Sequence, residues 1–169
     1  MSQIEKSLVV FKPDAISRAL VGEILSRFEK RGLKIIGVKM INPDRDFYYQ
    51  HYETIGQMIS RRGEKPFERN LKYMQTAPVI AMVFEGIDAT KAIRQMAGTT
   101  EPQAAEPGTI RGDYAHASFD YANDPKNERA IMNLLHASGN SEEAEQEIAL
   151  RFKPEELFEY KRADQGFMY

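Results

Sequence analysis

The chain has 169 residues, 23 Lys and Arg against 25 Asp and Glu, and no cysteine. A domain of this length holds a core without staples, and disulfides and thiolate metal sites are excluded. Near-cancelling charge argues against nucleic-acid binding as the main activity, no run approaches the roughly 18 apolar residues of a membrane span, and no export signal is visible. A cytoplasmic protein that acts at neither a membrane nor a nucleic acid is expected.

Without repeats or a long linker, one domain over residues 1–169 is expected. Residues 7–12 form a β-rich run closed by Pro13, a buried strand whose end presents Lys12 and Asp14. Leu20, Val21, Ile24, Leu25 and Phe28 recur at helical spacing, with Gly32 where that helix stops. A second strand spans 33–41 and ends at Asn42-Pro43. Residues 44–75 are helical in pattern, broken by a loop from Arg61 to Pro66. A third strand spans 79–84. Asp88 is placed to cap a helix carrying Ile93 and Met96, which stops at Gly98. An irregular stretch runs from Thr99 to about Glu128, then a fourth strand from 131 to 137. Ser141 is placed to cap a last helix with Ala144 and Ile148 inside, and Pro154 opens a short terminal one. Four strands interleaved with helices predict a sheet covered by helices, an α/β protein. Pattern alone leaves open whether that sheet is parallel and doubly wound or antiparallel.

Two places attract chemistry. The long stretch after Gly98 contains Pro107-Gly108-Thr109-Ile110-Arg111-Gly112-Asp113, whose proline and glycines fix a path around Arg111. A planar guanidinium on a rigid loop suits phosphate, and equally a structural pair with an aspartate. His136 ends the fourth strand just before a small-residue turn, where a neutral imidazole has one nitrogen to attack with and one to be oriented by. A core histidine bonded to a carbonyl fits the same position. His51, His116 and His136 show no metal-ligand spacing, so no protein-held metal is expected. Neither G-x-x-x-x-G-K-[ST] nor G-x-G-x-x-G is present. A nucleotide would have to be held by separated cations: Lys12, Arg94 and Arg111. Arg61, Arg62 and Arg69 read as solvated loop charges.

Several strings then fall together: Phe11-Lys12-Pro13-Asp14, Arg18-Ala19-Leu20-Val21-Gly22-Glu23-Ile24, His51-Tyr52, Ala77-Pro78-Val79, Gly98-Thr99-Thr100-Glu101-Pro102, Pro107 to Asp113, and Asn133-Leu134-Leu135-His136-Ala137-Ser138. With these the chain resembles the nucleoside diphosphate kinase family over nearly its whole length. The resemblance implies a ferredoxin-like αβ sandwich with a four-stranded antiparallel sheet. It implies a ping-pong exchange in which His136 takes the γ-phosphate of a nucleoside triphosphate, chiefly ATP, and a nucleoside diphosphate collects it. Carried over by position, Lys12, Tyr52, Arg94, Thr100, Arg111 and Asn133 bind phosphates and ribose, Glu147 positions the histidine, and Phe67 stacks on the base. Glu147 also suits an i,i+4 pair with Arg151 on the last helix. Mg²⁺ enters on the nucleotide phosphates rather than in a protein cage. A catalytically silent nucleotide-binding relative is the alternative, against which stands the retained histidine with its cations.

The chain departs from the family pattern in three places. It is longer between His51-Tyr52 and Lys72-Tyr73-Met74, where Pro66-Phe67-Glu68 replaces Pro-Phe-Phe. An insertion lies around 114–130, at the base of a loop that makes subunit contacts in relatives, so a homo-oligomer is implied with hexamer, tetramer and dimer all open. Ala137-Ser138-Gly139-Asn140 replaces Gly-Ser-Asp, and activity is expected to survive because that acid carries no phosphate charge.

Overall fold

The computed structural model describes residues 3–168; residues 1, 2 and 169 of the expected domain lie outside it. Its sheet has strands β1 (Ile4–Phe11), β2 (Lys34–Ile41), β3 (Val79–Ile87) and β4 (Leu135–Ala137) in the order β2-β3-β1-β4. Every pairing is antiparallel, which is the ferredoxin-like arrangement. Among the described residues no helix is long and apolar enough to cross a membrane.

Alternation along β1 explains the two-sided core. Leu8 and Val10 face one side, and Val9 and Phe11 the other. Because helices cover both faces, β1 reads as one continuous apolar run instead of an alternating one. Helices α2 (Val21–Lys30) and α6 (Ala89–Ala97) cover the Val9 side with Ile24, Phe28 and Ile93. The Val10 side is covered by α3 (Arg45–Tyr49), α5 (Glu64–Met74) and α9 (Ser141–Arg151), through Tyr48, Phe67, Leu71 and Ile148. In chain order the shorter helices are α1 (Pro13–Ser17), α4 (Met58–Arg62), α7 (Ile110–Tyr114) and α8 (Phe119–Asn123), and a π-helical turn Gln50–Ile55 follows α3.

Several local expectations need correction. The fourth strand begins at Leu135 rather than 131, because Leu134 adopts a left-handed φ of 71°. The cap of α9 is Asn140, whose side chain accepts from the Glu143 amide, while the Ser141 hydroxyl donates to Glu5 at 2.6 Å. Asp88 precedes α6 in a left-handed conformation, and its carboxylate accepts from the Gln3 amide instead of capping the helix. The loop expected from Arg61 to Pro66 contracts to Gly63, whose φ of 90° turns α4 into α5. The irregular stretch contains α7 and α8.

Candidate active site

A cleft of about 290 Å³ opens where β1, β4, α9 and the helical pair α4–α5 meet. Its polar floor follows from the sheet register. His136 pairs with Val10 across β4 and β1, so the imidazole rises on the face that α9 covers. Lys12 lies two residues beyond Val10, and its amide donates to the Leu134 carbonyl at 2.9 Å, which sets its side chain beside the histidine strand. The Lys12 ammonium donates to Asn133 Oδ1 at 2.8 Å, and the Asn133 amide donates to the Thr100 carbonyl at 2.8 Å.

Asp14 explains the third member of the Lys-Pro-Asp string. Its carboxylate accepts from the Tyr73 hydroxyl at 2.5 Å and from the Leu134 amide at 3.0 Å. It therefore pins the left-handed residue that delivers the histidine.

Glu147, on α9, is 1% exposed. One of its oxygens lies 2.8 Å from His136 Nε2, and the other accepts from the Ser138 hydroxyl at 2.6 Å. Burial alone would raise the Glu147 carboxyl, yet His136, Ser138 and Arg151 together hold it below its ordinary value. An ionised carboxylate only accepts, so Nε2 carries the proton and Nδ1 is the nitrogen Glu147 leaves unengaged. Arg151 does not take the Glu147 carboxylate as an i,i+4 partner. Its Nη1 donates to the Glu147 backbone carbonyl at 3.4 Å and lies 3.2 Å from His51 Nδ1.

The Pro107 to Asp113 string forms a knot under the cleft. Thr109 caps α7 by accepting from the Gly112 amide, and Asp113 accepts from the Gly108 amide at 2.7 Å while pairing with Arg27. A Cβ on Gly112 would collide with the Glu106 carbonyl, so the knot closes only with glycine there. Arg111 spends its guanidinium on three backbone carbonyls, those of Asn133, Gly98 and Leu135, at 3.2, 2.7 and 2.7 Å. It lines the cleft and also stitches the loop to the histidine strand.

The cations press on one another. Lys12 falls from its ordinary 10.5 to about 8, first through burial and then through Arg111, with Arg62 adding and Asp14 opposing. Arg111 falls to about 10 through burial, then Arg94 and Arg62. A phosphate chain would relieve both strains at once.

The cleft wall unites Lys12, Tyr52, Arg94, Thr100, Arg111, Asn133, His136 and Glu147, residues spread over 136 positions of sequence. Phe67 is the correction. It is 1% exposed, packs in the core and meets Tyr49 edge-on, so it has no open face for a base. Residues read as plain loop charges, Arg61, Arg62 and Arg69, also line the cleft, together with Phe119 of α8. No local sequence signal marks them, because they arrive by packing of α8 against α4 and α5.

His51 stands next to His136, with ring centroids 4.4 Å apart. Together with Glu147 their donor atoms fall within 4.8 Å of one another. This trio does not suit Mg²⁺, which wants oxygen ligands, and the Arg151 guanidinium at His51 repels a cation. The ring of cations instead fits an ion that arrives on phosphates.

Comparison with known proteins agrees with this geometry. A family profile described as Nucleoside diphosphate kinase matches residues 5–157. The chain belongs to the nucleoside diphosphate kinase family. It is 48% identical over 167 residues to a nucleoside diphosphate kinase of Pyrococcus furiosus, covering 99% of this chain and 94% of that one. A solved Borrelia burgdorferi nucleoside-diphosphate kinase, a transition-state mimic with bound vanadate and ADP, superposes with a TM-score of 0.93 at 37% identity. That match covers 98% of this chain and 97% of the other. A halophilic nucleoside diphosphate kinase from Halobacterium salinarum in complex with CDP gives 0.82 at 35% identity, covering 99% of each chain. The activity of this chain is that of the family, phosphoryl transfer through a histidine, with Mg²⁺ as cofactor.

Proposed function

We propose that His136 Nδ1 is the atom that carries the phosphoryl group between a nucleoside triphosphate, chiefly ATP, and a nucleoside diphosphate. The observation that carries this reading is the 2.8 Å bond between His136 Nε2 and the buried Glu147. It fixes the tautomer in which Nδ1 holds a lone pair.

In the first half-reaction that lone pair attacks the γ-phosphorus, a P–N bond forms, and the bond from γ-phosphorus to its bridging oxygen breaks. The nucleoside diphosphate leaves with the electron pair. Glu147 keeps the Nε2 proton and offsets the positive charge that builds on the ring. In the second half-reaction a terminal phosphate oxygen of another diphosphate attacks the same phosphorus, the P–N bond breaks, and neutral imidazole returns. Lys12, Arg94 and Arg111 hold the phosphate oxygens in line, Asn133 orients Lys12, and Thr100 and Tyr52 lie along the sugar side. Mg²⁺, bound through the nucleotide phosphates, supplies further charge neutralisation on the transferred group.

His51 is the other histidine of the site. At 1% exposure it is held between Arg151 and Glu147, and burial pushes its pKa well below the ordinary value. It supports the His136 ring from behind and stays neutral. The test is labelling with γ-labelled ATP followed by alkaline handling. His51→Gln keeps an acid-labile phosphate and His136→Gln loses it; a folded His136→Gln protein labelled at the wild-type rate overturns the assignment. The protein works in the cytoplasm as a homo-oligomer.

A further inference from the structure

Arg151 is a buried cation that neither the core nor the phosphates account for. It sits in the last turn of α9 at 7% exposure, one helical turn beyond Glu147, with its guanidinium over the Phe47 ring at 5.0 Å. Among the described residues it forms no ion pair, and its Nε has no hydrogen-bond partner. A buried charge so placed costs stability, and an apolar side chain of similar volume would serve the fold as well or better. Packing therefore does not explain it.

What it touches is a histidine. Nη1 lies 3.2 Å from His51 Nδ1 and 3.4 Å from the Glu147 carbonyl. A guanidinium only donates, so His51 Nδ1 holds a lone pair and the His51 proton sits on Nε2. Burial, then Arg151, then His136 on β4 and Lys12 beyond β1 all disfavour a charged ring, so His51 carries one proton. Its place matters because the same Nδ1 is 3.5 Å from Glu147 Oε1, the oxygen that takes the His136 Nε2 proton at 2.8 Å. The two imidazoles stand edge to face with centroids 4.4 Å apart and address one oxygen. A proton on His51 Nδ1 would point at Oε1. His136 would then lose its hold on the carboxylate and be free to carry its proton on Nδ1, where the lone pair is needed. His51 Nε2 is buried and has no partner among the described residues, so the Nε2 proton is a costly choice that something must impose.

We infer that Arg151 is a positioning residue that acts through His51: by donating to Nδ1 it keeps the His51 proton turned away from Glu147 and reserves that carboxylate for His136. The inference rests on reading His136 as the nucleophile.

The chain has three histidines, so nitrogen NMR spectra of protein isotope-labelled at histidine alone report which nitrogen of each ring bears the proton. His116→Gln and His51→Gln assign the signals. In the wild-type protein His51 is expected to show a protonated Nε2 and a bare Nδ1. Arg151→Met keeps a long unbranched side chain without donors. There the His51 proton is expected to move to Nδ1, and single-turnover phosphorylation by ATP to slow by about tenfold. In a His51→Phe background the same change should add no further slowing, because its effect passes through the missing imidazole. A wild-type His51 protonated on Nδ1, a tautomer unmoved by Arg151→Met, or an equal slowing in the His51→Phe background each overturns the role. The wild-type spectrum decides alone should Arg151→Met fail to fold. A wild-type His136 with its proton on Nδ1 would instead count against the nucleophile reading itself.

Discussion

His136 Nε2 and Glu147 Oε1 stand 2.8 Å apart, and the same carboxylate holds Ser138 at 2.6 Å through its second oxygen. One buried acid therefore sets both the rotation of the imidazole and the turn that follows it. Glu147→Gln keeps the volume but loses the charge that compensates the ring. Single-turnover transfer from ATP to His136 should slow by about 10–100-fold, as for other residues that orient an active group from behind. A wild-type rate would remove Glu147 from the mechanism. Because its folded pKa lies below the ordinary 4.5, the stability it contributes is present above that value and is lost as pH falls through the folded pKa. Glu147→Gln should flatten this acid limb of the unfolding curve.

Lys12 shares that direction with pH, but its buried charge costs stability instead of supplying it. Its folded pKa of about 8 lies below the ordinary 10.5, so the unfolded chain binds more protons between those values and stability from this group rises with pH across that window. The melting temperature of Lys12→Met, measured against wild type, should accordingly be most favourable below pH 8 and lose that advantage by pH 10. Nucleotide phosphates return the lysine toward its ordinary value, so ADP binding near pH 8.5 should take up protons. Calorimetry in two buffers of different ionisation heat measures this uptake, and Lys12→Met should abolish it.

Phe67 tests the correction directly. Phe67→Leu should cost about 1–2 kcal/mol of stability in urea unfolding, because the ring fills a closed site under α3 and α5. Its KM for ADP should match wild type at temperatures where the protein is folded. A raised KM with unchanged stability would return the ring to the cleft.

Arg111→Lys should damage the scaffold as well as the chemistry. Lysine reaches at most one of the three carbonyls that the guanidinium now serves. Leaving buried acceptors unpaired costs about 1–3 kcal/mol each, so for two of them a total loss of about 2–6 kcal/mol is expected by denaturant titration. Turnover should fall together with it.

How much of this was legible in the chain depends on distance along it. β1, β2, β3, α2 and α6 follow from short apolar periodicities and punctuating Gly and Pro, and they stand close to where those signals place them. The path of β4 was harder. Leu134 turns left-handed because Asp14, 120 residues earlier, holds its amide, and no local pattern around Leu134 records that. The separated cations Lys12, Arg94 and Arg111 converge as the strings of motif suggested, yet the carbonyl clamp of Arg111 could not be read from a loop. Arg62 and Phe119 escaped entirely. They lie 57 positions apart in chain segments whose composition looks like ordinary surface, and only the packing of α8 onto the α4–α5 pair brings them together.

His136 sits on the edge strand β4 and Lys12 directly follows β1, the strand that is paired on both sides along Val9 to Phe11. Amide exchange at Val10 should then proceed only through whole-molecule opening, whereas the short helices around Gly63 and Phe119 can fray separately. Turnover that admits and releases nucleotides thus draws its give from the rim, and heat that loosens the rim would impair substrate retention long before it disturbs the reacting nitrogen.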